Sequence, residues 1–312
     1  MSTGPGPPAP IAWIDGRWGH PDDLCLPLSD RGLLLADGLF ETVLVEHGEP
    51  RLLAEHLERW RQSAELLAMA PPPQATRLVP LLAEAVARSG IDQGALRLNW
   101  SRGSARGGGR GLELPPDSQH RFWLQLTPWE PLFSPLRARI SPIERRSASL
   151  LNRCKTFAYG GAVQARREAR AAGAEEALLL GEDGQLCCGS SANLLVRHGG
   201  RWLTPPLASG CLPGVMRGRA LALGLAVEAR IEPEELLAWG GGAAGSSGAA
   251  GSGGAGDQGA CLLLNSLGCR PLLSLNGTPL PQVAAGPLWR ALLPPPGSGD
   301  QLRNNPGWRS GR

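Results

Sequence analysis

Leu151-Asn-Arg-Cys-Lys-Thr-Phe-Ala-Tyr159 holds the one lysine and the one tyrosine of a 312-residue chain. All other basic side chains, apart from five histidines, are arginine. Arginine stays protonated in a protein and cannot act as an amine nucleophile. Lysine can, once its surroundings lower its pKa, and it then forms Schiff bases with carbonyl compounds. Lys155 is therefore either a survivor of a compositional bias toward Arg, Ala, Gly and Pro, or the residue on which the chemistry depends.

On the C-terminal side of this stretch, residues 159–172 read as a helix and Ala177–Leu180 as a strand. The turn Gly181-Glu-Asp-Gly184 leads into strands at 185–188, 193–198 and 201–204. A helix starts after Pro213-Gly214 and runs to Leu223, and Cys261–Asn265 is a strand. On the N-terminal side, Ile11–Trp18 reads as a hairpin turning at Asp15-Gly16. Gly38–Val45 is a strand that turns at His47-Gly48-Glu49 into a second strand at Arg51–Leu53. Glu55–Ala68 has helical period with Leu57, Trp60, Ala64, Leu67 and Ala68 on one face. Thr76–Ser89 is a second helix, closed by Gly90, and Leu96–Trp100 and Arg121–Leu126 are strands.

Strands and helices mix without strict βαβ alternation, which predicts an α+β fold in two lobes. Pro128–Pro135 carries three prolines in eight residues, which marks a linker over 128–136. The expected organisation is a disordered tail at 1–10, an N-terminal lobe at 11–127, a C-terminal lobe at 137–293 and a disordered tail at 294–312. The stretch 240–259 is almost wholly Gly, Ala and Ser and reads as a flexible insertion in the second lobe.

The net charge of +3 comes from 31 basic and 28 acidic residues, interspersed, so electrostatics make no case for a nucleic-acid partner. The seven cysteines include an adjacent pair, Cys187 and Cys188, and form no C-x-x-C. That excludes the usual zinc and disulfide patterns and predicts reduced thiols, no metal and a cytoplasmic protein. The N-terminus lacks the basic and apolar regions of a signal peptide. No apolar run reaches membrane-spanning length.

Seven segments in order resemble a known family: Ser29-Asp-Arg-Gly…Asp37-Gly-Leu-Phe-Glu-Thr42, His56-Leu-Glu-Arg59, Lys155-Thr-Phe-Ala-Tyr159, Ala192-Asn-Leu-Leu195, Thr204-Pro-Pro206, Leu212-Pro-Gly-Val-Met-Arg217 and Asn265-Ser-Leu-Gly268. They look like the class IV (fold-type IV) pyridoxal-phosphate enzymes. That family includes aminodeoxychorismate lyase and the branched-chain and D-amino acid aminotransferases. The resemblance implies a small N-terminal lobe, a larger C-terminal lobe with the cofactor cleft between them, and a homodimer. Lys155 would hold pyridoxal 5′-phosphate as a Schiff base and move protons at the substrate carbon. Tyr159 would stand beside the cofactor, or be a packing residue at a helix start. Arg59 would bind the phosphate. The first N–H groups of Val215 and Met216 suit the same phosphate, with Asn265, and Ser266 as a further contact. Asn193 would line the cofactor site and Phe40 the substrate site.

Relatives carry Glu in G-x-x-x-E-x-x-x-x-N, paired to the protonated pyridine nitrogen. Aligned on Gly184 and Asn193, that position here is Cys188. A thiol is a weak donor and acceptor and cannot hold a pyridinium as a carboxylate does, which disfavours transamination more than elimination. Cys187 and Cys188 are alternatively plain buried strand residues. The loop Ser101-Arg-Gly-Ser-Ala-Arg-Gly-Gly-Gly-Arg-Gly111 is similar to a stretch of aminodeoxychorismate lyases. Its Arg102, Arg106 and Arg110 suit a substrate with two carboxylates, although a solvated basic turn would look the same. The resemblance therefore points first to 4-amino-4-deoxychorismate lyase. An amino acid aminotransferase is the second reading, and a catalytically weak cofactor-binding protein the third.

Overall fold

Two long strands, each buried along most of its length, organise the first half of the chain in the computed structural model, which describes residues 7–104, 112–114, 119–241 and 257–295. The elements of this half are β1 (Ile11–Ile14), β2 (Arg17–Gly19), α1 (Arg31–Leu35), β3 (Gly38–Glu46), β4 (Glu49–Pro50), α2 (Leu53–Leu66), α3 (Ala75–Ser89), β5 (Gly94–Ser104) and β6 (Gln119–Pro128). They form one six-stranded sheet in the order β2-β1-β6-β5-β3-β4. Each neighbouring pair is antiparallel. β3 and β5 stay in register from Gly38↔Ser101 to Val45↔Gly94. Leu39, Val43, Leu53, Trp60, Leu78, Leu96, Leu98 and Leu124 form the core beneath α2 and α3. Each fully buried leucine there contributes on the order of 2 kcal/mol.

The second half consists of β7 (Leu136–Ile140), α4 (Leu150–Arg153), α5 (Gly160–Ala171), β8 (Glu176–Leu180), β9 (Leu186–Gly189), β10 (Asn193–His198), β11 (Arg201–Thr204), α6 (Val215–Ala222), β12 (Ala226–Glu228), α7 (Pro233–Gly241), β13 (Cys261–Asn265), β14 (Gly268–Leu275), β15 (Thr278–Pro279) and α8 (Ala285–Leu292). Its sheet has nine strands, with the path β12-β11-β10-β13-β14-β7-β8-β9 and β15 added to β14. β14, β7 and β8 run parallel, the rest mostly antiparallel. Leu136, Leu178, Leu194, Leu263 and Leu272 are among its core residues. The fold is α+β, as the mixed pattern predicts.

Contacts divide the chain into two units. One takes residues up to Glu130 together with Cys154–Ala158, and the other Pro131–Arg153 and Tyr159–Pro294. This corrects the placing of Lys155 in the lobe 137–293. The backbone explains it. Phe40 N–H donates to Lys155 O at 2.9 Å and Phe157 N–H to Gly38 O at 3.0 Å, while Leu39 bridges Thr156. Residues 155–157 are thus held along the start of β3.

Other differences have local causes. Arg51–Leu53 is not a strand, because Leu52 turns the chain with φ +54° directly into α2. The buried face of α2 is Leu53, His56, Arg59, Trp60, Ser63 and Ala64, rotated from the apolar stripe because three polar residues, His56, Arg59 and Ser63, are drawn inward. α1, β7, α4, β12, α7, β14, β15 and α8 have no counterpart in the sequence pattern. Residues 7–10 of the expected N-terminal tail are described, and Ala9 N–H donates to Ser89 O at 3.2 Å. Most of the insertion, at 242–256, and of the C-terminal tail, at 296–312, lies outside the described residues.

Candidate active site

Lys155 lies over an aromatic platform in the first unit. Its Nζ is 4.4 Å from the ring centroid of Phe40. The Arg97 guanidinium stands over the same ring, with Cζ at 3.6 Å, and Arg97 Nε donates to Asn99 Oδ1 at 2.8 Å. Two cations thus share one quadrupole, each gaining electrostatically from the ring. Behind Phe40 the ring of Phe157 lies 6.3 Å away and also meets Trp123 at 5.6 Å. Phe40 was expected at the substrate, and here it supports the lysine. Arg97 is absent from the expected site residues. The strand register carried its signal: Phe40↔Asn99 and Thr42↔Arg97 put Arg97 diagonal to Phe40 on one face.

Arg59 is buried and faces β3 from α2. Its Nε donates to Glu41 Oε1 at 2.8 Å and its Nη2 to Glu41 Oε2. His56 Nδ1 lies 2.7 Å from the same Oε2. Burial pushes the Glu41 carboxyl up, but the Arg59 charge and the His56 hydrogen bond outweigh it and bring the pKa down to about 2. Burial lowers His56 below its ordinary value. Glu41 and His56 stand in the segments that carry the family resemblance, yet nothing in spacing shows that they meet.

Arg102 corrects the expected substrate loop. It is the ninth residue of β5, and its guanidinium is committed inside the first unit. Nε donates to Asp37 Oδ2 at 2.9 Å, Nη1 to Ala68 O at 2.9 Å and Nη2 to Leu67 O at 2.9 Å. A buried arginine with these acceptors holds the end of α2 to the sheet rather than meeting a substrate. Arg106 and Arg110 lie outside the described residues.

The second unit brings several of the other expected residues together. Val215 and Met216 open α6, whose N-cap is Gly214 with no side-chain cap bond. The first N–H groups of such a helix seek an anion. Asn193 Nδ2 donates to Leu212 O at 2.9 Å, which fixes the turn before the helix. Asn193 Oδ1 also presses on Gly214 so closely that a Cβ there would collide with it. Cys188 pairs with Asn193 across the β9–β10 ladder and is buried. Cys187 lies near Cys188 and Cys211, and hydrogen bonds with both, followed by burial, push its thiol far up. Asn265 donates to Ser191 O at 3.3 Å and accepts from Leu267 N–H at 2.8 Å, so its amide shapes the β13–β14 turn. Ser266 sits in that turn, half-buried. Tyr159 takes the N-cap position of α5.

Each unit by itself offers groups whose chemistry suits pyridoxal phosphate. Lys155 offers an amine for an aldehyde, and the uncapped α6 terminus offers backbone donors for a phosphate. Cys188, the residue expected at the ring nitrogen, offers a buried thiol. The model of the class IV amino-transferase family matches residues 38–252, well over half the chain. The chain belongs to the class IV aminotransferase family. Members depend on pyridoxal 5′-phosphate, and this chain is a class IV pyridoxal-phosphate enzyme.

Class IV relatives differ in the reaction they are named for. A Methanocaldococcus jannaschii protein assigned as a branched-chain-amino-acid aminotransferase is 27% identical over 226 residues, 72% of this chain and 77% of its own length. The aminodeoxychorismate lyase of Bacillus subtilis is 29% identical over 209 residues, 66% of this chain and 71% of its own length. The crystal structure of the Escherichia coli branched-chain amino acid aminotransferase superposes with a TM-score of 0.75 at 19% identity, covering 91% of this chain and 92% of that one. At that identity the match speaks for the fold, which is fold-type IV. No helix among the described residues is long and apolar enough to cross a membrane.

Proposed function

We propose that this class IV enzyme is a 4-amino-4-deoxychorismate lyase, releasing pyruvate and leaving 4-aminobenzoate, a folate precursor. The observation that carries this reading is Cys188, a buried thiol paired with Asn193 where the family has its carboxylate. A neutral partner makes the cofactor a weaker electron sink, which handicaps transamination more than an elimination that quickly follows proton loss. The likeness to the B. subtilis lyase supports it.

When bound, pyridoxal phosphate supplies the electron sink that acidifies the amine-bearing ring carbon. Lys155 takes the proton from that carbon. The carbon–oxygen bond to the side chain breaks, the side chain departs as an enolate that gains the proton at its methylene carbon to become pyruvate, and the ring turns aromatic. Lys155 also redelivers protons. Arg97, stacked beside Lys155 on Phe40, supplies a guanidinium suited to a substrate carboxylate. In the first unit Arg59 is the candidate phosphate ligand, and in the second the N–H groups of Val215 and Met216 are candidates of the same kind. Tyr159, Asn193, Asn265 and Ser266 complete the proposed site.

The second reading is an aminotransferase for D-amino or branched-chain substrates, favoured by the M. jannaschii relative. Assay of the purified enzyme separates the two. Pyruvate and 4-aminobenzoate from aminodeoxychorismate mark the lyase. Keto-acid formation that requires an amino acceptor, without 4-aminobenzoate, overturns the lyase reading.

The enzyme is proposed to act as a homodimer in the cytoplasm. Leu28, Leu33, Leu34, Leu112 and Leu114 are each more than half exposed. Arg31 Nη1 reaches Glu113 O at 3.4 Å, so the segments that carry these leucines approach one another, and exposed apolar side chains of this kind suit a partner surface. Six of the seven cysteines are buried and all are free thiols, which suits a reducing compartment.

A further inference from the structure

Glu41 is completely buried and serves two residues of one helix. One oxygen accepts from Arg59 Nε at 2.8 Å. The other meets Arg59 Nη2 and, at 2.7 Å, His56 Nδ1. A guanidinium presents five N–H donors in a rigid planar fork. Gripping it through Nε and Nη2 with both carboxylate oxygens fixes its plane and its direction. His56 in turn keeps the carboxylate from rotating about its own bond. The strand that supplies Glu41 also supplies Phe40, whose N–H holds Lys155 O. β3 therefore sets both the lysine segment and the orientation of Arg59.

Attaching α2 to β3 does not require a buried ion pair, since well-packed apolar residues hold a helix to a sheet at no desolvation cost. What an ion pair adds is direction. We propose that Glu41, held by His56, is a positioning residue that aims the Arg59 guanidinium at the cofactor's phosphate. Phosphate recognition is then a property of the Glu41–Arg59 pair. The proposal rests on the reading of Arg59 as a phosphate ligand.

Direction and charge predict opposite signs. If Glu41 only balanced charge, its neutralisation would leave Arg59 more positive and strengthen phosphate binding. If it aims the guanidinium, neutralisation weakens phosphate binding and leaves the rest of the cofactor untouched. The test strips the holoenzyme of cofactor by dialysis and titrates it, by absorbance, with pyridoxal 5′-phosphate and with pyridoxal, which lacks the phosphate. Glu41→Gln should weaken binding of the phosphorylated form about tenfold or more and leave pyridoxal binding unchanged. Glu41→Asp keeps the charge but pulls the oxygens back by one carbon. It should show the same selective loss, and it decides the matter if Glu41→Gln does not fold. In an Arg59→Gln background either Glu41 change should add nothing, since the effect passes through Arg59. Unchanged or tighter phosphate-form binding in both Glu41 variants, with Arg59→Gln still selectively weakened, overturns the role of Glu41 alone. Arg59→Gln that lowers both affinities equally, or neither, overturns the phosphate reading of Arg59 and the proposal with it.

Discussion

Phe157 lies so close to Gly38 that a Cβ on Gly38 would stand 2.6 Å from Phe157 Cδ2 and 2.8 Å from its Cζ. The missing side chain is what lets residues 155–157 lie along β3. Gly38→Ala should push Phe157 out and drag Lys155 off Phe40. The expected cost is about 1–3 kcal/mol of stability, as for other overpacked sites, read from the urea midpoint. Turnover should fall further than that loss of folded protein explains. An unchanged midpoint and unchanged turnover would show that the segment has room to spare.

Because Lys155 is the chain's one lysine, borohydride reduction of the holoenzyme should fix the cofactor on a single peptide, the one spanning Lys155. Lys155→Arg keeps a cation for the Phe40 ring but cannot form the imine bond. Activity should vanish while the thermal unfolding midpoint stays near that of the parent. Label on any other peptide would remove Lys155 from the chemistry.

On the proposed reading of Cys188, replacing it by Glu would supply a carboxylate to the pyridine nitrogen. Transaminase activity should rise relative to lyase activity, and the cofactor's visible spectrum should change. The same spectrum and the same two activities would make Cys188 a packing residue of β9, with some other group serving the pyridine nitrogen.

Acid should unfold the protein partly through Glu41. Its pKa lies near 2 in the fold against an ordinary 4.5. Above 4.5 the carboxylate is charged in both states and its stabilisation is complete. As pH falls from 4.5 through 2 the unfolded chain takes up the proton first, and on the order of 3 kcal/mol is lost. His56, whose pKa is lowered from 6.5 by burial, works in the same direction from a higher pH, since the unfolded imidazole binds its proton first. Urea titrations across this range should show stability falling in both windows. A flat profile in the lower window for the parent protein would mean that Glu41 is not held as the structure has it.

Removing residues 242–256 should leave the fold intact. The two stems already meet. A Cβ on Gly259 would fall 2.7 Å from Gly240 N, and Trp239 stacks on His198 with ring centroids 4.0 Å apart. Joining ends that are already adjacent costs little loop entropy. The shortened enzyme should keep the parent's unfolding midpoint and cofactor content, and a large drop in either would give the segment a structural role.

Composition and spacing determined a good deal here. A lone lysine among arginines names the one side-chain amine available to a carbonyl cofactor. Pro213-Gly214 ahead of a helical stretch names an uncapped terminus. The ten-residue span from Gly184 to Asn193 names Cys188 as the candidate neighbour of the pyridine nitrogen. These are local properties, and local sequence encodes them. The tertiary structure decided which polar residues turn inward and what they meet. Arg102 looked available for substrate, yet it ends in Asp37 and two carbonyls of the α2 end. Arg97 lay unremarked within the expected strand Leu96–Trp100, yet it shares the Phe40 ring with Lys155. Glu41, His56 and Arg59 gather because α2 docks on β3 with its polar turn inward. A charged side chain is placed by the partner that compensates its burial, and that partner comes from a distant part of the chain, so spacing along the chain cannot reveal it.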